Sequence, residues 1–405
     1  MSDSREEFDI VIAGGGIVGS TLACALGVDS SIGGRRIALL EANKKLPSFS
    51  GDSFDPRVVA LSTESKKILD NIDIWPRVIN QRACPYYRMH VWDAEGTGEM
   101  HFDCDDLHED SLGHIVENSV LLKSLREKIE QLNAIEFYGD LAVESVQLNS
   151  GANDLTKVVL ADGTELTTCL LIAADGSNST LRTLLNMSVR EWDYDQQAII
   201  TTVKTEKGHN FTAWQRFTQD GPLAFLPLTD DGSDSYCSIV WSADTALAQE
   251  LMQLETPQFC ARLGRDFEYR LGRVLDADRR YAIKLVQRHA KSYIQPGVAL
   301  VGDAAHTVHP LAGQGVNLGL YDVQVLAEEI IRACVRDVPL ADFSILRRYE
   351  RRRKTHNLLA MGAMEGFKRL FGADDPAIRW LRNTGMRFCN EQGWIKKRLA
   401  RMASG

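Results

Sequence analysis

Three glycines in the pattern Gly14-x-Gly16-x-x-Gly19 constrain this chain more than any other feature. They follow an apolar, β-branched run (Phe8 to Ala13, FDIVIA) and open a small-residue helix (STLACALG) that ends at Gly27. A second strand, RIALL, ends in Glu41, 22 residues beyond Gly19. In such a strand–turn–helix the first glycine permits a tight turn, the second lets the backbone approach a pyrophosphate, and the third packs helix on strand. Ile17 and Val18 begin the helix whose free N–H groups would meet the phosphates, and Glu41 would accept hydrogen bonds from an adenosine ribose. The pattern predicts a dinucleotide site with Gly14, Gly15, Gly16, Ile17, Val18, Gly19 and Glu41 as binding residues, without distinguishing NAD from FAD.

Two later motifs sit at the ends of strand-like runs. CLLIAA, from Cys169 to Ala174, runs into Asp175-Gly176-x-x-Ser179-x-x-Arg182. VALV, from Val298 to Val301, runs into Gly302-Asp303-Ala304-Ala305-His306 and then Thr307 to Asn317, TVHPLAGQGVN. Open α/β sheets bind ligands beyond the carboxyl ends of their strands, which is where these polar groups fall. From about 196 to 244 the texture changes to short β-rich runs separated by Gly, Asp and Asn turns, as in an antiparallel sheet. Trp214, Phe225, Pro227 and Trp241 lie in these runs as candidate apolar wall, although period-two alternation lets only half of such residues face one side. The expected architecture is α/β (α+β overall). A Rossmann-like domain with a parallel sheet (1–80, 111–185 and 290–345) is interleaved with an antiparallel-sheet substrate domain (81–110 and 186–289). A basic helical segment, 346–405, follows.

Of 405 residues 44% are hydrophobic and 25% charged, which excludes a disordered chain, a collagen repeat and a disulfide scaffold. No run approaches the roughly 18 apolar residues of a membrane span, and MSDSREEF lacks the basic n-region of a secretory signal. The eight cysteines are scattered without a CxxC pair and read as reduced thiols of a cytoplasmic protein. The net charge of −9 argues against nucleic acid. It is uneven, because residues 347–405 carry fifteen Lys/Arg against five Asp/Glu. Leu358, Leu359, Met361, Met364, Phe367, Leu370 and Phe371 follow at helical spacing. Two readings of this tail stand: an amphipathic helix packed on the acidic body, or a contact with an anionic membrane surface.

His306 and His309 stand at i, i+3, but no third ligand accompanies them and Pro310 interrupts the helix that spacing requires, so no metal is assigned. Gly176-Ser177-Asn178-Ser179-Thr180 is not a GxSxG elbow, which removes a serine hydrolase.

The triple of GxGxxG, DGxxSxxR and GDAAH with a Gly-rich helix start resembles the class A flavoprotein monooxygenases. Within them, His309 to Asp322 (HPLAGQGVNLGLYD) is similar to the motif of the ubiquinone-biosynthesis hydroxylases. So are Leu112 to Leu121 (LGHIVENSVL, containing Val120), Trp192-Asp193-Tyr194, SIVW from Ser238, and RYERRRK from Arg348. The resemblance implies FAD as cofactor, with Gly302 and Asp303 at the ribityl chain and the helix start at Gly313, Gly315, Val316 and Asn317 aimed at the flavin. His309 and Pro310 would form the loop facing it, with His309 a candidate substrate contact. Arg57 matches an arginine near the cofactor, although by itself it reads as a surface ion pair with Asp55 or Glu64. Asp175, Gly176 and Arg182 match residues linked to pyrophosphate and nicotinamide nucleotide; a strand-ending turn with a helix-cap salt bridge is the alternative. No side chain stands out as an acid or base.

The implied activity is ring hydroxylation of a polyprenylated ubiquinone precursor with O₂ and NAD(P)H as a transient co-substrate, C5 slightly favoured over C6. The implied partners are a polyprenyl phenol or quinol, an anionic membrane surface and other ubiquinone-biosynthesis proteins, with a homo-oligomer left open. Another aromatic substrate, or a non-catalytic flavoprotein scaffold, is the alternative.

Overall fold

The computed structural model describes residues 5–43, 45–46, 48–50, 53–148, 155–230, 232–308, 314–373, 375–392 and 396. Its first layer is an eight-stranded sheet. Strands Val298–Leu300, Glu165–Ala173, Arg5–Ala13, Ile37–Glu41 and Ile135–Gly139 lie side by side and parallel, with Thr156–Leu160, Val143–Gln147 and Ile294–Gln295 added antiparallel. Each central strand is an apolar run, because helices cover both faces of a parallel sheet. The helices are α1 (Ile17–Gly27), α2 (Thr63–Asp70), α3 (Trp75–Gln81), α4 (Asn118–Ile129), α5 (Thr180–Leu184), α6 (Thr245–Gln253), α7 (Thr256–Asp266), α8 (Gln314–Val335), α9 (Phe343–Phe371) and α10 (Pro376–Glu391). Helix α1 packs on both α4 and α8.

A second sheet of nine strands is mostly antiparallel. Its order runs His306–Thr307, Tyr281–Ala290, Val189–Thr205, Ser233–Asp244, Pro222–Asp230, Thr212–Phe217, Arg88–Asp93 and Glu99–Asp103, with Val274–Ala277 alongside Val189–Thr205. One pairing departs from the antiparallel rule, since Thr212–Phe217 runs parallel to Arg88–Asp93. A crossover brings the strand around residue 90 into the sheet, so residues far apart in sequence share it. A small third sheet, Val58–Leu61, Gly113–Glu117 and Ala83–Tyr86, lies between the two. Its Ala60 and Ile115 pack with Phe54 against Leu228 and Tyr236 of the large sheet.

The alternation of the large sheet sorts its residues onto two faces. Ile199, Leu223, Phe225, Ile239, Trp241 and Trp92 form a core with Ala248, Leu251, Phe259 and Leu263 of α6 and α7. The opposite face carries Leu226 and Leu228, turned toward the small sheet.

Burial also fixes an acid sensitivity. His90, His114 and His289 are all buried, and loss of water pushes each imidazole pKa from 6.5 down to about 4. In the unfolded chain these groups take up protons below about pH 6.5, while in the fold they resist until about pH 4. The stability they contribute is therefore complete above about pH 6.5 and is lost as pH falls toward about 4. Each group then removes about 1.4 kcal/mol for every pH unit crossed in that window. Urea midpoints measured from about pH 7 to about pH 4.5 should fall steadily, by the equivalent of several kcal/mol; a flat profile would contradict this.

Candidate functional site

Four of the five parallel strands end in register. Ala13 stands beside Leu40 and Ala173, and Ala173 beside Leu300, so the segments that follow leave the sheet at one level. Gly14 N–H donates to Leu40 O (2.8 Å), Ala174 N–H to Ala13 O (2.7 Å) and Val301 N–H to Ala173 O (3.0 Å). The glycine motif, Glu41, Asp175-Gly176 and Gly302-Asp303 thus converge at the carboxyl edge, where open sheets bind ligands.

The glycines divide the work. Gly14 has φ +111°, and a Cβ there would lie 2.2 Å from Ala174 O. A Cβ on Gly19 would lie 1.9 Å from Gly14 O, which is the close contact between α1 and its strand. Gly16, the N-cap of α1, is different: a Cβ there meets no atom within 4 Å. This open space lies against the helix N-terminus, and the first turn of α1 contains no acid to repel an anion.

Glu41 faces the same turn. Its Oε2 accepts from Gly15 N–H (2.8 Å) and its Oε1 from Asn43 N–H (2.9 Å), leaving further lone pairs of the carboxylate toward the turn. Arg126 of α4 brings a guanidinium into this corner: its Nη2 stands 3.2 Å from where a Gly15 Cβ would be, and its buried Nε has no hydrogen-bond partner among the described residues. Arg126 stacks on Phe137, with the guanidinium carbon 3.7 Å from the ring centre. No motif in the sequence marks Arg126; its place on the helix that Val120 opens is the available signal. Val120 itself is half-buried in the first turn of α4, packed against the main core.

At the next strand end, Asp175 Oδ2 accepts from Leu181 N–H (3.0 Å), while its buried Oδ1 has no partner among the described residues. Gly176 has φ +81° with open space around it. Arg182 makes no salt bridge to Asp175. Its buried guanidinium donates to Ser177 O and Ala304 O (both 2.9 Å), stapling this loop to the Gly302–Ala304 loop. The strand-ending turn and helix cap of the alternative are present, since Asp175 and Ser179 both accept from first-turn N–H groups of α5, but its salt bridge is not.

Gly302 has φ +58° and lies under Val18, whose methyls would be 3.1 Å from a Cβ there and 2.6 Å from one on Gly319. Glycine at both places lets α1, α8 and the loop interlock. Asp303, beside it, is reached by solvent, yet its carboxyl is closely surrounded by protein. That crowding raises its pKa, opposed by nearby His306. A residue both accessible and crowded lies at the floor of a cleft. Gly315, in the first turn of α8, faces it: a Cβ there would be 3.9 Å from Asp303 Oδ1.

His306 is completely buried and pairs not with Asp303, its neighbour in sequence, but with Asp322 Oδ2 (2.5 Å). Asp322 also accepts from Gly302 N–H (3.0 Å), Arg353 Nε (2.7 Å) and Asn357 Nδ2 (3.1 Å). Burial favours the neutral acid, but the His306 and Arg353 charges and hydrogen bonds outweigh it and take the carboxyl to about 2. Sequence spacing could not reveal this knot, because it joins three separate elements.

Other candidates are placed differently. Asn317 pins the small sheet to α8: its Oδ1 accepts from Ser62 N–H (3.1 Å) and its Nδ2 donates to Ala60 O (2.8 Å). Val316 is half-buried against the main core. Arg57 is exposed, its backbone N–H donating to Asp55 Oδ1 (2.9 Å); among the described residues it forms no ion pair with Asp55 or Glu64. His309, Pro310 and Gly313 lie outside the described residues. The expected apolar wall is corrected. Trp214, Phe225 and Trp241 belong to the core under α6 and α7, Phe225 stacking on Phe267 at 3.7 Å, and Pro227 shares their face by register. The other face of the same strands carries Thr202 and Ser238, whose buried hydroxyls have no partner among the described residues.

Parallel sheet, glycine turn, crowded aspartate and attached second sheet define a class, the fold of FAD-dependent monooxygenases. The family described as FAD binding domain matches residues 7–361, and the chain belongs to it. It is 34% identical to 3-demethoxyubiquinol 3-hydroxylase of Escherichia coli (strain K12), over 99% of this chain and 100% of that one. It is 33% identical to the human mitochondrial ubiquinone biosynthesis monooxygenase COQ6, over 98% and 92%. Within the larger family the chain therefore belongs to the ubiquinone-biosynthesis hydroxylases, with FAD as cofactor. The fold is shared with p-nitrophenol 4-monooxygenase of Pseudomonas putida DLL-E4 (TM-score 0.77, 19% identity, 99% of both chains). It is shared too with Klebsiella pneumoniae HpxO complexed with FAD and uric acid (TM-score 0.75, 18% identity, 98% and 97%).

The residues present fit the cofactor. Open space at Gly16, the Arg126 Nε and Asp175 Oδ1 that have no partner among the described residues, and the solvent-reached Asp303 all lie along one edge, as an extended dinucleotide requires.

Proposed function

We propose that the protein hydroxylates the aromatic ring of a polyprenylated ubiquinone precursor, with O₂ as oxidant and NAD(P)H as transient reductant, at C5 in preference to C6. FAD, when bound, supplies the redox chemistry that activates O₂ for transfer to an electron-rich ring. The observation that carries this reading is the in-register convergence of the Gly14–Gly19 turn, Asp175 and Asp303 on one sheet edge, in a chain matched along its whole length by quinone hydroxylases. Gly14, Gly15, Gly16, Ile17, Val18 and Gly19 would hold the pyrophosphate with Arg126, and Glu41 the ribose. Asp303 would hold the ribityl hydroxyls and Gly315 admit the ring.

The substrate ring would lie against the face of the large sheet opposite the α6–α7 core. There Leu226 supplies apolar surface, and the Thr202 and Ser238 hydroxyls lack partners that a ring oxygen could provide. No side chain here is assigned as acid or base; the chain's part is to orient the ring and exclude water. A polyprenyl tail makes the substrate lipid-borne, so the protein would work at a membrane surface although no helix among the described residues is long and apolar enough to cross one.

The test is NAD(P)H oxidation by the FAD-loaded protein with and without a polyprenyl phenol. The precursor should accelerate oxidation and yield a hydroxylated ring. Flavin binding without turnover on any phenolic precursor would favour the scaffold instead.

A further inference from the structure

The C-terminal hairpin of α9 and α10 buries Phe371 and Met386 against the body but leaves much of its apolar surface uncovered. The face of α10 that meets the body is largely polar, with Met386 as its buried apolar contact. Buried Arg382 donates from Nε and Nη2 to the two Asp93 oxygens (2.7 and 2.9 Å) and from Nη1 to the carbonyls of Leu370 and Phe371 (3.0 and 2.8 Å). Asn383 Oδ1 accepts from Gly98 N–H and Asn390 Oδ1 from His101 N–H, while Arg379 pairs with Glu95 (2.7 Å). The apolar face points outward: Trp380 is 69% exposed, Leu381 61% and Phe388 54%. Leu381 and Phe388, seven residues apart, lie on one side of the helix, and Trp380 borders them. On α9, Leu359 is 70% exposed, with Leu358 and Phe367 each at 48%. An amphipathic helix that only covered a core would present the reverse, and large exposed apolar patches mark interaction sites.

The cations of the hairpin are sorted in the same way. Those packed against the body are neutralised, Arg348 by Glu329, Arg353 by Asp322 and Arg382 by Asp93, and exposed Arg352 pairs with Glu328 and Glu329. Arg347, Arg351 and Arg387 are exposed, and among the described residues none has a carboxylate partner; Arg387 donates only to the Thr97 hydroxyl (2.6 Å). Arg347, Arg351 and Leu358 follow at intervals that keep to one side of the helix, so the outward cations continue into the apolar stripe. With Lys354 they line a groove of about 630 Å³ along α9. The acids of α9 are occupied elsewhere, Glu350 with Tyr293 N–H and Glu365 with Arg369.

We propose that this outer face docks on an anionic phospholipid surface. Leu359, Phe367, Trp380, Leu381 and Phe388 enter the boundary between headgroups and acyl chains, and Arg347, Arg351 and Arg387 meet headgroup phosphates. The inference rests on the reading of a lipid-borne substrate, which gives the contact its purpose. A second copy of the chain fits less well, because a two-fold contact through this face would set its unneutralised arginines against one another.

The test is flotation of the FAD-loaded full chain with vesicles of phosphatidylcholine alone, and of phosphatidylcholine with about one third phosphatidylglycerol. The protein should float with the anionic vesicles and partition about tenfold less with the neutral ones. The triple variant Trp380→Ser, Leu381→Ser, Phe388→Ser should lose binding by about tenfold or more, and Arg347→Gln, Arg351→Gln, Arg387→Gln should lose the preference for anionic lipid. Both variants should keep the parent's rate on a detergent-solubilised phenol, which excludes misfolding. Absence of flotation, or flotation unchanged by the serine variant, overturns the proposal. So does a serine variant that changes sedimentation mass while binding lipid normally, which would make the face a protein interface. Flotation that survives while no phenol is hydroxylated counts against the proposed activity and leaves the lipid surface standing.

Discussion

Replacing Asp322 by alanine should destabilise the protein by about 3–5 kcal/mol, the usual effect of stranding a buried charge. The carboxylate accepts four hydrogen bonds at zero exposure, from Gly302, His306, Arg353 and Asn357. Without it the Arg353 guanidinium, itself buried, keeps Asn357 Oδ1 (2.7 Å) and a long bond to Leu318 O (3.3 Å) but has no counter-charge. The second consequence is local. Gly302 N–H loses the acceptor that holds the loop carrying Asp303, so affinity for FAD should fall together with stability. The double variant Asp322→Leu, Arg353→Met removes both charges and should recover part of the loss, since the two residues act as one unit. Urea unfolding of the three proteins decides it. A change below about 1 kcal/mol for Asp322→Ala would mean that the knot is not a structural keystone.

Gly16→Ala and Gly19→Ala should separate cofactor binding from folding. At Gly19 the new methyl would sit 1.9 Å from Gly14 O, inside the contact between helix and strand, so the backbone must shift. The cost is expected to be about 1–3 kcal/mol, with FAD affinity lost along with it. At Gly16 the backbone, with φ −70°, accepts alanine, and the added methyl meets no atom of the protein. Stability without cofactor should change by less than about 1 kcal/mol, the scale of an N-cap change. The methyl does fill the space that a pyrophosphate would need, so FAD affinity should drop by about tenfold or more. Thermal unfolding without cofactor and a flavin titration provide the two readouts. A Gly16→Ala protein that binds FAD like the parent would show that the open space is not where the phosphates sit.

These two glycines also explain why part of the site was legible in the sequence. Close backbone approach requires residues without a Cβ at set offsets, and strands that end beside one another must carry their polar groups just after an apolar run. Gly14 to Gly19, Glu41 and Gly302-Asp303 follow from those two requirements. What was not legible depends on how distant elements pack. Period-two alternation placed Phe225 and Trp241 on one face, but only α6 and α7 determine that this face is covered. Arg126 reaches the Gly15 turn because α4 lies against α1. His306 finds Asp322 instead of Asp303 because α8 and α9 converge behind the loop. The tail showed both its charge and its apolar stripe; the inward placement of its polar residues could not be read, since Asp93 and Arg382 are almost 300 residues apart.

The central claim, transfer of an oxygen atom from O₂ to the ring of a quinone precursor, is tested most directly by isotope. The FAD-loaded protein would be given NAD(P)H and a polyprenyl phenol under labelled O₂, and the product ring examined by mass spectrometry and NMR. One labelled oxygen on the ring is expected, at C5. NAD(P)H consumed with an unmodified ring, or with the label absent from the product, would contradict the account.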